Sequence, residues 1–204
     1  MKFTKIPETA FQEIQINAGI LLSNFTPASG EFEDTDMLGA TSGGINFSAT
    51  PTYSDFGEDI DNAPTNVKEL KKLDGWDVNM SGTFITVDTA LAKKLIGAAD
   101  IDGSDTTKVT PRNDITDADF SDIWLVGDYS DKNGETKGGF VAVHMLNGLS
   151  TGGFQIQTAN RAKGQFAFEF TGHSSLAAQT VVPFEVYIKA GTAESAGWMY
   201  SPTL

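Results

Sequence analysis

Apolar and polar residues alternate along most of this chain with a period of two, the repeat of an extended backbone whose successive side chains point to opposite faces. The clearest instance is residues 164–172, Gly-Gln-Phe-Ala-Phe-Glu-Phe-Thr-Gly. Phe166, Phe168 and Phe170 fall on one side, and Gln165, Ala167, Glu169 and Thr171 on the other. Burying each phenylalanine stabilises a core by roughly 1.5–3 kcal/mol, so the segment predicts a strand with one face on a core and the other in water. Similar alternation predicts a strand over residues 14–22, where Ile14, Ile16, Ala18, Ile20 and Leu22 share a side. Another is expected over 44–50, with Ile45, Phe47 and Ala49 opposed by Asn46, Ser48 and Thr50. Residues 75–87 form the longest candidate, Trp76, Val78, Met80 and Phe84 against Asp77, Asn79, Ser81 and Thr83, with Gly82 marking a bulge or bend. Further strands are expected at 123–127, 140–146, 154–158, 165–171 and 181–188. Asp131-Lys132-Asn133-Gly134 carries the turn chemistry of a hairpin between the first two of these.

The period changes once. Asp88-Thr89 can cap a helix over about residues 89–99, in which Leu91, Leu95 and Ala98 recur at helical spacing while Lys93 and Lys94 face out. Residues 25–38, 51–74 and 98–116 are polar connections. The second, rich in Asp, Asn and Pro, is expected to be a long irregular loop, and a loop of that length belongs to function or to disorder. The pattern therefore predicts a mainly β protein, a β-sandwich or barrel with one flanking α-helix. It would be a single domain over residues 1–204 with an N-terminal arm over about 1–13.

Composition narrows the function. With 14 Lys and Arg against 27 Asp and Glu, the formal net charge is −13. Such a surface repels nucleic acid and anionic membrane and does not bind phosphates by releasing counterions. The absence of cysteine excludes disulfides, zinc–thiolate sites and cysteine nucleophiles. The first residues carry no apolar core region of a secretion signal, and no apolar run reaches the length of a membrane span. A soluble protein folded in a cytoplasm is expected.

Catalytic chemistry is sparse. Asp100-Ile101-Asp102-Gly103-Ser104-Asp105 resembles the start of a calcium loop, but its glycine is misplaced and Pro111 stands where the closing glutamate belongs, so a solvated turn is expected. Glu58, Asp59 and Asp61 cluster near Asp55; in a Pro- and Asn-rich loop they are expected to be solvated or paired with lysines across an interface. His144 shares its strand face with Phe140, Ala142 and Leu146, which points to a hydrogen-bonded, sheet-packed histidine; His173 follows Gly172 at a strand end. No metal-binding histidine spacing exists, and Ser174-Ser175 beside His173 makes no triad. The pairs Gly43-Gly44, Gly138-Gly139 and Gly152-Gly153, each expected just before a strand, read as turns. Lys68, Lys71 and Lys72 form a small basic run that suits an exposed face or a docking site for a neighbour's acidic loop. No enzyme activity, cofactor or metal is expected.

Residues 38–51 run Leu-Gly-Ala-Thr-Ser-Gly-Gly-Ile-Asn-Phe-Ser-Ala-Thr-Pro, followed by Asp55-Phe56-Gly57-Glu58-Asp59-Ile60-Asp61, Val67-Lys68-Glu69-Leu70-Lys71 and Gly75-Trp76-Asp77-Val78-Asn79-Met80-Ser81-Gly82-Thr83. Later come Asp122-Ile123-Trp124-Leu125-Val126-Gly127-Asp128-Tyr129-Ser130, Asn147-Gly148-Leu149-Ser150-Thr151-Gly152-Gly153-Phe154, the Phe-rich strand, and Val182-Pro183-Phe184-Glu185-Val186-Tyr187-Ile188. In this order they resemble the major tail tube proteins of long-tailed, siphovirus-type bacteriophages, over about residues 10–190. The resemblance implies a β-sandwich with a flanking helix, hexameric rings of the chain itself, and rings stacked around a tape-measure protein into a hollow tube. Distal-tail and terminator proteins are further implied partners, and DNA passes through the bore without specific binding. The implied location is the virion tail, assembled in the host cytoplasm.

On that resemblance, an acidic bore would repel phosphates, an effect that reaches about 8 Å at physiological salt. Asn79, Ser81, Thr83, Gln165 and Glu169 are candidates for the lumen or a pairing face. Residues 51–74, with Asp55, Glu58, Asp59, Asp61, Lys68, Lys71 and Lys72, and residues 1–13 are candidates for contacts between rings. The chain ends soon after its last expected strand, so no added C-terminal domain is expected. The alternatives are the tube of a contractile or secretion-type injection machine, and a carbohydrate-binding β-sandwich presenting Trp124, Trp198 or Tyr200. A hydrolase has the least support.

Overall fold

The computed structural model describes residues 15–129 and 139–190. Nine strands and one helix follow in chain order: β1 (Gln15–Leu22), β2 (Thr41–Asp55), β3 (Lys71–Phe84), α1 (Thr89–Ile96), β4 (Ala99–Ile101), β5 (Val109–Pro111), β6 (Ser121–Tyr129), β7 (Gly139–Ser150), β8 (Phe166–Thr171) and β9 (Phe184–Lys189). Seven strands join in one sheet of order β1-β6-β7-β8-β3-β2, with β9 also on β7, and every pairing is antiparallel. The first half of β7 lies between β6 and β9, while its last residues, Leu149 and Ser150, pair with Thr171 and Phe170 of β8. The sheet thus folds along β7 into two layers, β1-β6-β7-β9 and β8-β3-β2, a sandwich-like arrangement.

The layers meet over one core. Leu21, Ile123, Leu125, Val143 and Met145 come from the first layer, and Val78, Met80, Phe84, Phe166, Phe168 and Phe170 from the second. Alternation is therefore clean in the second layer: Phe166, Phe168 and Phe170 are buried while Ala167 and Glu169 are exposed. In the first layer the central strands β6 and β7 are buried on both faces. Leu22, Phe25, Trp124, Phe140 and Ala142 form a second cluster on its far side, covered by the loop after β1. Phe25 packs edge-on against Phe140, with ring centroids 5.0 Å apart. Double burial explains why Ile123-Trp124-Leu125 reads as a continuous apolar run.

The helix starts as its cap requires, the Asp88 carboxylate accepting the Leu91 N–H at 2.7 Å. Leu91 and Leu95 enter the main core. The helix ends at Ile96, not near residue 99, because Gly97 takes a positive φ of 85° and the chain turns into β4. Lys94 does not face out: its ammonium donates to Ser121 Oγ at 2.8 Å, and burial lowers its pKa.

Four other expectations are corrected. Residues 51–74 are not one irregular loop, since β2 runs on to Asp55 and β3 begins at Lys71. Gly82 is not a bulge; the β3–β8 register is unbroken there, and the irregularity lies opposite, on β2 between Thr41 and Ile45. Gly43 and Gly44 sit at that point inside β2, not before a strand, with φ of 84° and 86° that suit residues without a side chain. Gly82 instead makes room: a Cβ there would lie 2.8 Å from Phe168 Cζ. Residues 154–158 form no strand, only a single bridge from Gln157 to Gln165. The hairpin signal at Asp131–Gly134 and the arm over residues 1–13 lie outside the described residues.

The polar excursion after the helix is organised by Arg112. Its guanidinium meets Asp100 at 2.9 Å and Asp119 at 2.5 Å, and the Asp119 side chain is fully enclosed. The Thr116 N–H, then the Arg112 guanidinium, hold the Asp119 carboxyl below its ordinary pKa. In the β4–β5 turn, the calcium-like segment is occupied by its own chain. Asp102 accepts the Ser104 N–H and pairs with Lys108, and Asp105 accepts from Thr107.

Candidate functional site

Beyond the Pro51–Trp76 pair, β2 and β3 leave the core and continue as a two-stranded arm, pairing Thr52 with Gly75, Tyr53 with Leu73, Ser54 with Lys72 and Asp55 with Lys71. The root of its loop is built locally. Asp55 accepts the Gly57 N–H at 2.9 Å and pairs with Lys71 at 3.2 Å, and these contacts, in that order, lower its pKa. The Phe56 N–H donates to the Leu70 carbonyl at 3.0 Å, so the loop proper is residues 56–70. Gly57 sits close against this closure: a Cβ there would stand 2.9 Å from Leu70 Cδ1, and the leucine tip would have to shift.

The arm holds large apolar groups in water. Tyr53 is 59% exposed, Phe56 60%, Ile60 52% and Leu73 45%. Isolated exposed apolar residues are common, but four on one projecting hairpin mark a surface that gains by being covered. Around them Glu58, Asp59, Asp61 and Lys72 are exposed, and Lys68 meets Glu69 at 3.4 Å. Of the seven charged candidates, Asp55 and Lys71 satisfy each other, Lys68 has a partner in Glu69, and the other four remain solvated.

The second candidate surface is the outer face of the β8-β3-β2 layer. Register places Asn46 and Ser48 of β2 beside Ser81 and Asn79 of β3, with Thr171, Glu169 and Ala167 of β8 beyond Asn79, Ser81 and Thr83. The side chains tie one another down. Asn79 Nδ2 donates to Asp77 Oδ1 at 2.8 Å, Thr171 Oγ1 donates to Asn79 Oδ1 at 2.8 Å, and the Thr151 and Thr171 hydroxyls lie 2.9 Å apart. Asn79, Ser81, Thr83 and Glu169 are thus brought together as expected from their period. Gln165 stands at the end of the row, beside Thr83 and Ala167 in a shallow depression of about 140 Å³. Among the described residues, small neutral groups with the Asp77 and Glu169 carboxylates give this face no cation to hold a phosphate.

Three open edges complete the picture among the described residues. β9 pairs only with β7 and β2 only with β3, while β1 pairs with β6 and is bridged on its other side only at its end, where Leu22 meets Met37 and the Leu38 N–H donates to the Leu21 carbonyl. On β9, Val186 and Ile188 are exposed. Such edges template pairing with another chain.

The histidines are packed into the fold. His144 stacks on Trp124 with centroids 3.8 Å apart, and His173 Nδ1 lies 3.2 Å from the Asn147 carbonyl with Phe120 edge-on. Trp124 is buried, which corrects its candidacy as an exposed sugar platform; Trp198 and Tyr200 lie outside the described residues. Among the described residues no cluster of metal-ligating side chains forms, and no helix is long and apolar enough to cross a membrane. Sequence reasoning missed the ordered arm. Its signal was the continuation of the Phe47, Ala49, Pro51 face into Tyr53 on β2; on β3 the alternation is broken by the extra residue Asp74 between Leu73 and Gly75. No protein-family model matches the chain, and no curated protein matches it.

Proposed function

We propose that this chain is a structural subunit that polymerises, as stacked and ring-shaped assemblies, into the hollow tail tube of a long-tailed bacteriophage. The observation that carries the reading is the β2–β3 arm, a hairpin that leaves the core and holds Tyr53, Phe56, Ile60 and Leu73 in solvent. A lone monomer gains nothing from such a structure, whereas a copy above or below would cover it. The open edges of β1, β2 and β9 give lateral neighbours a place to pair, and closing sheets into a barrel removes edges. The cation-poor face around Ser81 and Glu169, in a chain of net charge −13, suits a wall along which DNA slides without sticking. Tape-measure, distal-tail and terminator proteins are the partners this role requires.

The test is electron microscopy of the concentrated protein beside a variant in which residues 58–69 are replaced by a short turn. We expect hollow filaments of uniform diameter from the parent chain, and a folded, circular-dichroism-competent variant that forms none. Tubes of normal length from the variant would remove the arm from the assembly contact. A parent chain that stays monomeric at every concentration, even when seeded with tail fragments, would overturn the reading.

A further inference from the structure

His144 lies at the middle of a row that crosses three neighbouring strands. Trp124, its direct partner on β6, stacks flat against it with planes 7° apart. Asp122, also on β6, brings Oδ2 to 3.1 Å from Nε2. From the other side Glu185, its direct partner on β9, brings Oε2 to 3.6 Å from Nδ1. The imidazole is 12% exposed, and its buried Nδ1 has no hydrogen-bond partner. A neutral ring that donates from Nε2 to Asp122 turns a bare lone pair toward the Glu185 carboxylate, so two acceptors face each other. A proton taken from solvent at Nδ1 converts that contact into a charge-assisted hydrogen bond, with both ring nitrogens donating.

We propose that His144 is a proton-operated latch that ties the edge strand β9 to the centre of the sheet. The charged neighbours fit a switch worked by the imidazole. Asp122 also accepts the Asn147 N–H at 3.0 Å and is near Lys94 of α1, whose ammonium is held by Ser121. Glu185 also accepts the Tyr187 hydroxyl, and this bond raises the tyrosine pKa, keeping the phenol a donor while the imidazole titrates. The latch is closed while both ring nitrogens carry a proton and open once Nδ1 is bare, so acid closes it and alkali opens it. β9 depends on it because the strand has one neighbour. Elsewhere it is held by its ladder to β7, by Phe184 against Phe47 and Trp76, by Tyr187 against Trp124, and by Lys189 on the Ala28 carbonyl, with Glu185 next to the first of these side-chain anchors. The latch does not rest on the tube reading.

The test is NMR-detected hydrogen exchange of the β9 amides across the His144 titration, read from its own ring signals in the same samples and corrected for intrinsic exchange. We expect protection of β9 to fall about threefold to tenfold as the ring loses its proton, with the same midpoint, while β3 and β8 stay level. Glu185→Gln preserves shape and an acceptor for Tyr187 but removes the charge, and should flatten the β9 response. His144→Gln should do the same, and if it fails to fold, Glu185→Gln decides alone. Level β9 protection across the wild-type titration, or a response that survives in Glu185→Gln, overturns the proposal.

Discussion

Gly82 and Phe168 show how much a single position settles. The Phe168 ring fills the space that a side chain on β3 would take, and the Gly44 carbonyl stands 3.2 Å away on the other strand. Gly82→Ala is therefore an overpacking change, expected to cost about 1–3 kcal/mol in urea unfolding with an unchanged slope. Asp119 works through charge. Its carboxyl is held below the ordinary range, so it contributes stability above the pH at which an unfolded aspartate ionises, and loses it as pH falls through the lowered folded value. Asp119→Asn should destabilise the protein at neutral pH and flatten the acid limb of its stability curve, measured as midpoint against pH. Residue roles of this kind were unevenly legible. The phenylalanines of β8 declare their face by alternation, whereas Lys94 reads as a surface lysine because its partner, Ser121, is distant in sequence.

Elements were legible where one face is wet and one is dry. β8 and the core portion of β3 were readable for that reason, and α1 was readable from its change of period and its aspartate cap. Asp88→Ala should cost about 1 kcal/mol, checked by thermal or urea denaturation, because it strips the Leu91 N–H of its acceptor. Boundaries failed where the backbone departs from simple repetition. The positive φ of Gly97 ends the helix early, and the extra residue Asp74 on β3, opposite Thr52 and Tyr53, shifts the face of the arm, so residues of β3 that pair in space lose their alternation in sequence. Residues 154–158 alternate as a strand should, yet hold a single bridge, with Phe154 resting on Phe166 as a loop side chain.

At the scale of the whole molecule, the mainly β architecture followed from composition and period, while the joining of two layers through one strand did not. Pairing partners are set by contacts between distant segments, such as Phe184 with Phe47 and Trp76, and no local pattern announces them. The candidate polar face was legible because it is the complement of the core. The arm was visible only as an unusually long gap. Trp76 lies between the layers and Trp124 on the far side of the first, so their fluorescence samples different parts of the fold. We expect it to change together with the far-ultraviolet dichroism in one transition, and separated midpoints would show the layers melting independently. The reason is the course of Gly139–Ser150 through both layers. Tension applied to either layer would travel along a single covalent backbone into the other, so we expect the molecule to bear load as one piece and not to peel.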